Sequence, residues 1–158
     1  MTIGILVDAD ACPVKDEIYR VAERRKVRVS VVSNSPFRVP VGPSVERIVV
    51  DGGFDAADDW IAERAALRQA QGERTVVVTA DILLADRCLK AWATVLAPNG
   101  RLFTHASIGS AIATRAIMAD LRAGLGEGIG GPAPFGKTDR SRFLQALDEA
   151  LVRLERAP

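Results

Sequence analysis

Apolar residues in this chain come in short runs that stop abruptly at polar ones, and the runs alternate with stretches of helical spacing. Ile3 to Val7 is an unbroken, β-rich run, the pattern of a strand buried on both faces, and it ends at Asp8-Ala9-Asp10. Pro13 suits the first turn of a helix, in which Ile18, Val21 and Ala22 recur at helical spacing to about Lys26. Val27 to Val32 reads as a second strand, closed by the turn signal Ser33-Asn34-Ser35-Pro36. A loop holding Pro40, Gly42 and Pro43 leads to a third, Val45 to Val50, which ends in Asp51-Gly52-Gly53. Asp55 to about Gln69 is helical, with Ala57, Ile61, Ala65 and Arg68 on one side. Thr75 to Val78 is a fourth strand, ending at Thr79-Ala80-Asp81. Ile82 to Ala91 is a further helix, and Ala93 to Leu96 a fifth strand before the Pro98-Asn99-Gly100 turn.

Strands and helices alternating at this spacing predict βαβ units and right-handed crossovers. The expected fold class is therefore α/β: a three-layer, mostly parallel sheet flanked by helices, with a C-terminal amphipathic helix. Beyond the fifth strand, Ser107 to Arg122 is again helical, with Ile108, Ile112, Ile117 and Leu121 available for burial. Residues 124–136 form a Gly/Pro-rich loop that follows a helix, so its glycines are no dinucleotide fingerprint, and a flexible connector or lid is expected. The segment 137–156 carries the last helix, whose Phe143, Leu147, Leu151 and Leu154 stripe docks on the body or on a second copy. A homodimer is thus one partner to consider. Residues 1–158 are expected to form a single domain.

Composition narrows the classes. The 158 residues are 48% hydrophobic and 26% charged, the balance of a soluble globular chain large enough to bury a core without disulfides. No apolar run approaches the ~20 residues of a membrane helix. The first run meets acid at once and has no basic segment before it, unlike a signal peptide, so a cytoplasmic location and no membrane partner are expected. Cys12 and Cys88 form no CxxC and read as reduced thiols. His105, the sole histidine, rules out multi-histidine metal sites and sits at a helix start, where a solvated or capping role suffices. A net charge of +1 gives no global field toward nucleic acid, so any such binding rests on local patches.

The candidate chemistry is acidic. In an open parallel sheet the ligand crevice lies outside the carboxyl ends of the strands, where the first four strands here deliver Asp8 and Asp10, Asn34 and Ser35, Asp51, and Thr79 and Asp81. Convergent carboxylates suit a hard divalent cation, Mg²⁺ or Mn²⁺. Asp8 and Asp10 are two apart, which in extended backbone puts both on one side, and a helix-capping role explains only one of them. Asp58 precedes Ile61 and Ala62 on its helix, bordering the buried side, whereas Asp59 lies about 100° round and is more solvated. Asp55 with the acids after it resembles a capping box. Asp81 is a candidate N-cap as well as a ligand. Thr79 can cap equally well, which frees Asp81 for the metal.

The segments Ile5-Leu6-Val7-Asp8-Ala9-Asp10-Ala11-Cys12-Pro13-Val14-Lys15, Gly53-Phe54-Asp55-Ala56-Ala57-Asp58-Asp59-Trp60-Ile61-Ala62, Val78-Thr79-Ala80-Asp81, Gly131-Pro132-Ala133-Pro134-Phe135 and Asp139-Arg140-Ser141-Arg142-Phe143-Leu144 resemble the YaiI/YqxD family along nearly the whole chain. That family is bacterial, and the resemblance implies a fold sooner than an activity. More distantly, the order of acids is similar to that of PIN-like nucleases: one after the first strand, one or two on a central helix, one after a later strand in a Thr-x-Asp context. Carried over, Asp8 and Asp10 match the first position, Asp58 and Asp59 the helical one, and Asp81 the last. The resemblance implies Mg²⁺ or Mn²⁺ and phosphodiester hydrolysis, with RNA as the expected substrate. The Gly/Pro loop and the last helix depart from a typical PIN domain.

On this reading Asp8, Asp10, Asp58 and Asp81 are catalytic, Asp59 joins them as a metal ligand, and Lys15, Arg38, Arg140 and Arg142 are candidate phosphate contacts. Two other functions fit parts of the pattern. Asp8-Ala9-Asp10 after an apolar strand also matches a haloacid-dehalogenase-type phosphatase, with Asp8 as nucleophile and Asp10 as general acid, although Asp58-Asp59 precedes Thr79 and no later acidic pair follows. A non-catalytic PIN-like interaction module would use the same acids for stability or for a partner's basic surface.

Overall fold

Buried apolar runs pair side by side because their backbone groups have no water to bond and each run is too short to satisfy them as a helix. The computed structural model describes residues 2–40, 42–53, 55–125 and 135–157, and only the backbone of 11 and 117–125. Six strands form one sheet: β1 (Ile3–Asp8), β2 (Arg28–Ser33), β3 (Val45–Val49), β4 (Arg74–Val78), β5 (Thr94–Leu96) and β6 (Leu102–Phe103). Their order is β3-β2-β1-β4-β5-β6. The first five are mutually parallel, and β6 returns antiparallel to β5. The class is α/β, with the mostly parallel sheet that the alternation predicts. The two-residue strand β6, followed directly by Thr104, is an addition that the sequence pattern did not announce.

Alternate residues of the central strands feed two separate cores. Ile5 and Val7 of β1, Val29 and Val31 of β2, and Val76 and Val78 of β4 pack against α1 (Lys15–Arg25) and α5 (Lys137–Arg156). Leu6, Val32, Val77 and Val95 face α2 (Ala56–Ala70), α3 (Ile82–Lys90) and the start of α4 (His105–Leu125). This is the three-layer arrangement expected. Among the described residues no helix connects β2 to β3, and α5 packs next to α1 over β1, β4 and β5, burying Phe143, Leu147 and Leu151 completely. The apolar stripe of the last helix therefore docks on the body of its own chain. Asp148 of α5 accepts from Arg24 at 2.9 Å and from Arg25 at 2.9 and 3.0 Å, which ties the two helices together. Of the apolar positions expected on the 107–122 helix, Ile108 is buried and Ile112 partly so, while Ile117 and Leu121 lie outside the described side chains. Thr104 rather than His105 caps α4, its Oγ1 accepting from Ser107 N at 3.0 Å. The expected 124–136 loop lies almost wholly outside the described residues. No described helix is long and apolar enough to cross a membrane.

Candidate functional site

Because β1, β2 and β4 are parallel, their carboxyl ends share one rim, and β1 sits at its centre. Asp8 is the last residue of β1 and is half-buried. Its Oδ2 accepts a hydrogen bond from Thr79 Oγ1 at 2.9 Å, and Thr79, just past the end of β4, is 1% exposed. The same Thr79 oxygen accepts from the Asp81 amide at 3.0 Å, so one buried hydroxyl joins the ends of two strands. Asp81 is the N-cap of α3, with Oδ1 accepting from Leu83 N at 2.9 Å and Leu84 N at 3.2 Å. Thr79 thus does not relieve Asp81 of capping, and the cap engages only one of the two Asp81 oxygens.

The expected pairing of Asp8 with Asp10 on one side of an extended strand is corrected by the backbone. After Asp8 the chain turns into a short 3-10 segment, Ala9–Ala11, which swings Asp10 toward β2. There its Oδ1 accepts from the buried hydroxyl of Ser33, and its Oδ2 from Asn34 N at 3.2 Å. Both Asp10 oxygens are thereby engaged. Ser33 and Thr79 act as a matched pair of buried hydroxyls on the strands flanking β1, each holding one acid.

On α2, Asp58 is half-buried and Asp59 exposed, as the helical spacing predicts. Burial pushes the Asp58 carboxyl up from its ordinary 3.8 to about 6, and the charges of Asp8, Asp81 and Asp55 add to the rise against the weaker pull of Arg87. Burial likewise raises Asp8, with Asp10 and Asp81 adding to the rise and the Thr79 hydrogen bond opposing it. The charges of Asp8 and Asp81 thus reach Asp58, and that of Asp81 reaches Asp8, across three elements distant in sequence. Asp59 points elsewhere and pairs with Arg87 at 2.9 Å. Asp55 occupies the N-cap position of α2 without a side-chain cap, so the capping box read there is not formed. Asp51 is exposed beyond β3. Among the described residues no group of three or more His, Cys, Asp or Glu side chains is placed, as it stands, so that it could hold a metal ion.

The four expected phosphate contacts separate. Lys15 is at the rim, its Nζ 3.4 Å from the Ala9 carbonyl and 5.7 Å from the Phe37 ring centroid. Arg38 is exposed in the connection from β2 to β3. Arg140 is engaged in holding α5 to α1: it donates to Pro13 O at 2.6 Å and to Glu17 Oε1 at 3.1 Å. Arg142 instead lines a groove of about 320 Å³ with Arg101, between α5 and the turn after β5. Gly100 in that turn has φ +88°, and a Cβ there would stand 2.8 Å from the Arg142 backbone, so only glycine lets the turn lie against α5. Sequence reasoning missed Arg101 as a neighbour of Arg142. The close approach at Gly100 was the one signal, and a Pro-Asn-Gly turn alone does not reveal what packs on it. Cys12 and Cys88 are free and buried, and burial raises their thiols to about 11 and about 12, which leaves neither reactive near neutral pH.

Comparison with known proteins agrees with the motifs. Residues 6–153 match the profile of the family described as "Uncharacterized BCR, YaiI/YqxD family". A UPF0178 protein of Sphingopyxis alaskensis is 71% identical over 152 residues, covering 96% of this chain and 95% of the relative. UPF0178 proteins of Nitrobacter winogradskyi and Caulobacter vibrioides are 59% and 56% identical, covering 98% and 99% of the chain and 94% and 98% of the relatives. With full-length matches on both sides, the chain belongs to the YaiI/YqxD family.

Proposed function

We propose that the rim of Asp8, Asp58 and Asp81 binds a divalent cation, Mg²⁺ or Mn²⁺, and that the protein is a metal-dependent nuclease of PIN-like type acting on RNA. One observation carries the reading: burial raises the Asp8 and Asp58 carboxyls at the end of β1 and on α2, and the charge of Asp81 at the start of α3 adds to both rises. Three carboxylates near one another, with Arg87 the cation that acts on Asp58, fit a site whose remaining counter-charge is a ligand. Asp8 and Asp81 each have one oxygen fixed by the protein, and among the described residues the other accepts no hydrogen bond, which suits them to hold the metal. Asp58 supplies the third charge, and a bound cation would lower its raised pKa. Asp10 and Asp59, occupied by Ser33 and Asn34 and by Arg87, flank the site. A bound metal in such a site polarises a phosphoryl oxygen and lowers the pKa of water. Lys15, Arg38 and Arg142 are the groups suited to phosphates. The choice of RNA comes from the order of acids shared with PIN-like nucleases.

The test is cleavage of single-stranded RNA, structured RNA and DNA with and without Mn²⁺ or Mg²⁺, in wild type and Asp8→Asn. Metal-dependent RNA cleavage lost in a folded Asp8→Asn protein supports the proposal. Trapping a phosphoaspartate on Asp8 with a small phosphomonoester would replace it by the phosphatase mechanism. A melting temperature raised equally by metal in wild type and in Asp8→Asn/Asp81→Asn would remove the metal site.

A further inference from the structure

Toward the opposite end of the sheet, on the face that carries α2, lies a second cavity of about 250 Å³ that owes nothing to the acidic rim. Along β1, Gly4 is about 13 Å from Asp8 at the usual strand rise. The cavity is walled by Arg64 and Arg68 of α2 and by Arg28 at the start of β2, with Ser30 and Glu46 on the strand side. A glycine in a central parallel strand is a poor strand former and often marks a close approach. Here the reason is visible: a Cβ on Gly4 would stand 2.7 Å from Nη2 and 2.8 Å from Cζ of Arg68, so the missing side chain gives the guanidinium its place against the sheet.

Arg68 is held in that place from three sides. Its Nε donates to Thr75 Oγ1 at 2.8 Å, Nη2 to Arg74 O at 2.9 Å, and Nη1 stands 2.7 Å from Glu73 Oε2. Burial lowers the Arg68 pKa, and the Arg64 and Arg28 charges lower it further, while Glu73 alone pulls the other way. Arg64 lies over the Trp60 ring at 4.5 Å, a contact that orients its guanidinium without neutralising it. The one carboxylate lining the cavity, Glu46, accepts from Ser30 Oγ at 3.1 Å and makes no ion pair with the arginines among the described residues. Three guanidiniums thus face one space with a single lining carboxylate, and planar guanidinium forks match oxyanions.

We infer that this cavity is a binding site for a small-molecule oxyanion, a phosphate or carboxylate group held by Arg28, Arg64 and Arg68 over Gly4. Its occupancy is independent of metal at the acidic rim, so the two readings fail separately. Glu46 sets the limit on charge density: it repels a second anionic group on the strand side and favours a ligand that turns a donor toward it.

The experiment is thermal unfolding and titration calorimetry of the full chain in chelator, with inorganic phosphate in one arm and citrate in the other, which separates phosphate from carboxylate ligands. Saturable stabilisation by at least one is expected. It should weaken tenfold or more in Arg28→Ala/Arg64→Ala, whose arginines do not staple α2 to β4. It should weaken in Gly4→Ala, which keeps every charge but moves the Arg68 tip, and tighten in Glu46→Gln. Asp8→Asn should bind as wild type does. No stabilisation in either arm overturns the inference. So does equal stabilisation of wild type and Arg28→Ala/Arg64→Ala, and so does loss of binding in Asp8→Asn.

Discussion

A proton on Asp58 is the most sensitive reporter of the rim. Its folded pKa of about 6 stands above the ordinary 3.8, so between those values the folded state binds more protons than the unfolded chain. Stability must then fall as pH rises from about 4 to about 6, and recover as pH falls. Asp58→Asn removes this contribution. In chelator the melting temperature of Asp58→Asn, relative to wild type, should therefore increase from pH 4 to pH 7, and a constant difference would show that the Asp58 carboxyl is not raised by the fold. Thr79 is the second reporter, because its hydroxyl serves Asp8 and the Asp81 amide together. Thr79→Val should cost about 1–3 kcal/mol by urea unfolding, the penalty for unpaired buried groups, and Thr79→Ser should restore most of it. Asp8 and Asp81 could be placed from sequence because strand ends are legible. Asp10 could not, since the three-residue 3-10 segment Ala9–Ala11 changes the direction that an extended chain would give.

Elements follow the same division. The five parallel strands and their helices were legible in the switch between buried runs and helical spacing, a signal that needs several residues to register. β6 has two residues and no pattern of its own; it exists because the Gly100 turn returns the chain alongside β5. The stripe on α5 was equally visible, yet a stripe does not name its partner. Only the open face of β1, β4 and β5 beside α1, left because α2 and α3 both pack on the other face, decides that α5 closes on its own chain. Arg140 and Arg142, two residues apart on α5, consequently face different tasks. Arg140→Ala should lower stability by about 1 kcal/mol, as it breaks contacts to Pro13 and Glu17, without changing the salt dependence of RNA binding. Arg142→Ala should leave the melting temperature in place and weaken RNA binding with a shallower salt slope. Filter binding over a range of salt concentrations separates the two, and identical effects would mean that the α5 assignments are wrong.

In the whole molecule, β1 is hydrogen-bonded to β2 on one side and to the much later β4 on the other, with Ile3 opposite Arg74. Closing that distance costs chain entropy before any contact offsets it, so the β1–β4 seam is expected to form late in folding. The rim inherits this timing, because Asp8, Asp58 and Asp81 do not become neighbours until the seam is shut. A ligand bridging them therefore has no partly opened form to bind, and it should act as a clasp on the entire sheet rather than on one loop. In hydrogen exchange, Mg²⁺ should slow the amides of β1 and β4 by one common factor in wild type and leave them unchanged in Asp8→Asn. Slowing confined to the first turn of α3 would place the cation on the cap alone. If the proposed cation binds the rim, removing it should let the chain unfold faster while refolding at nearly the same rate, since such a clasp would form after the barrier has been crossed.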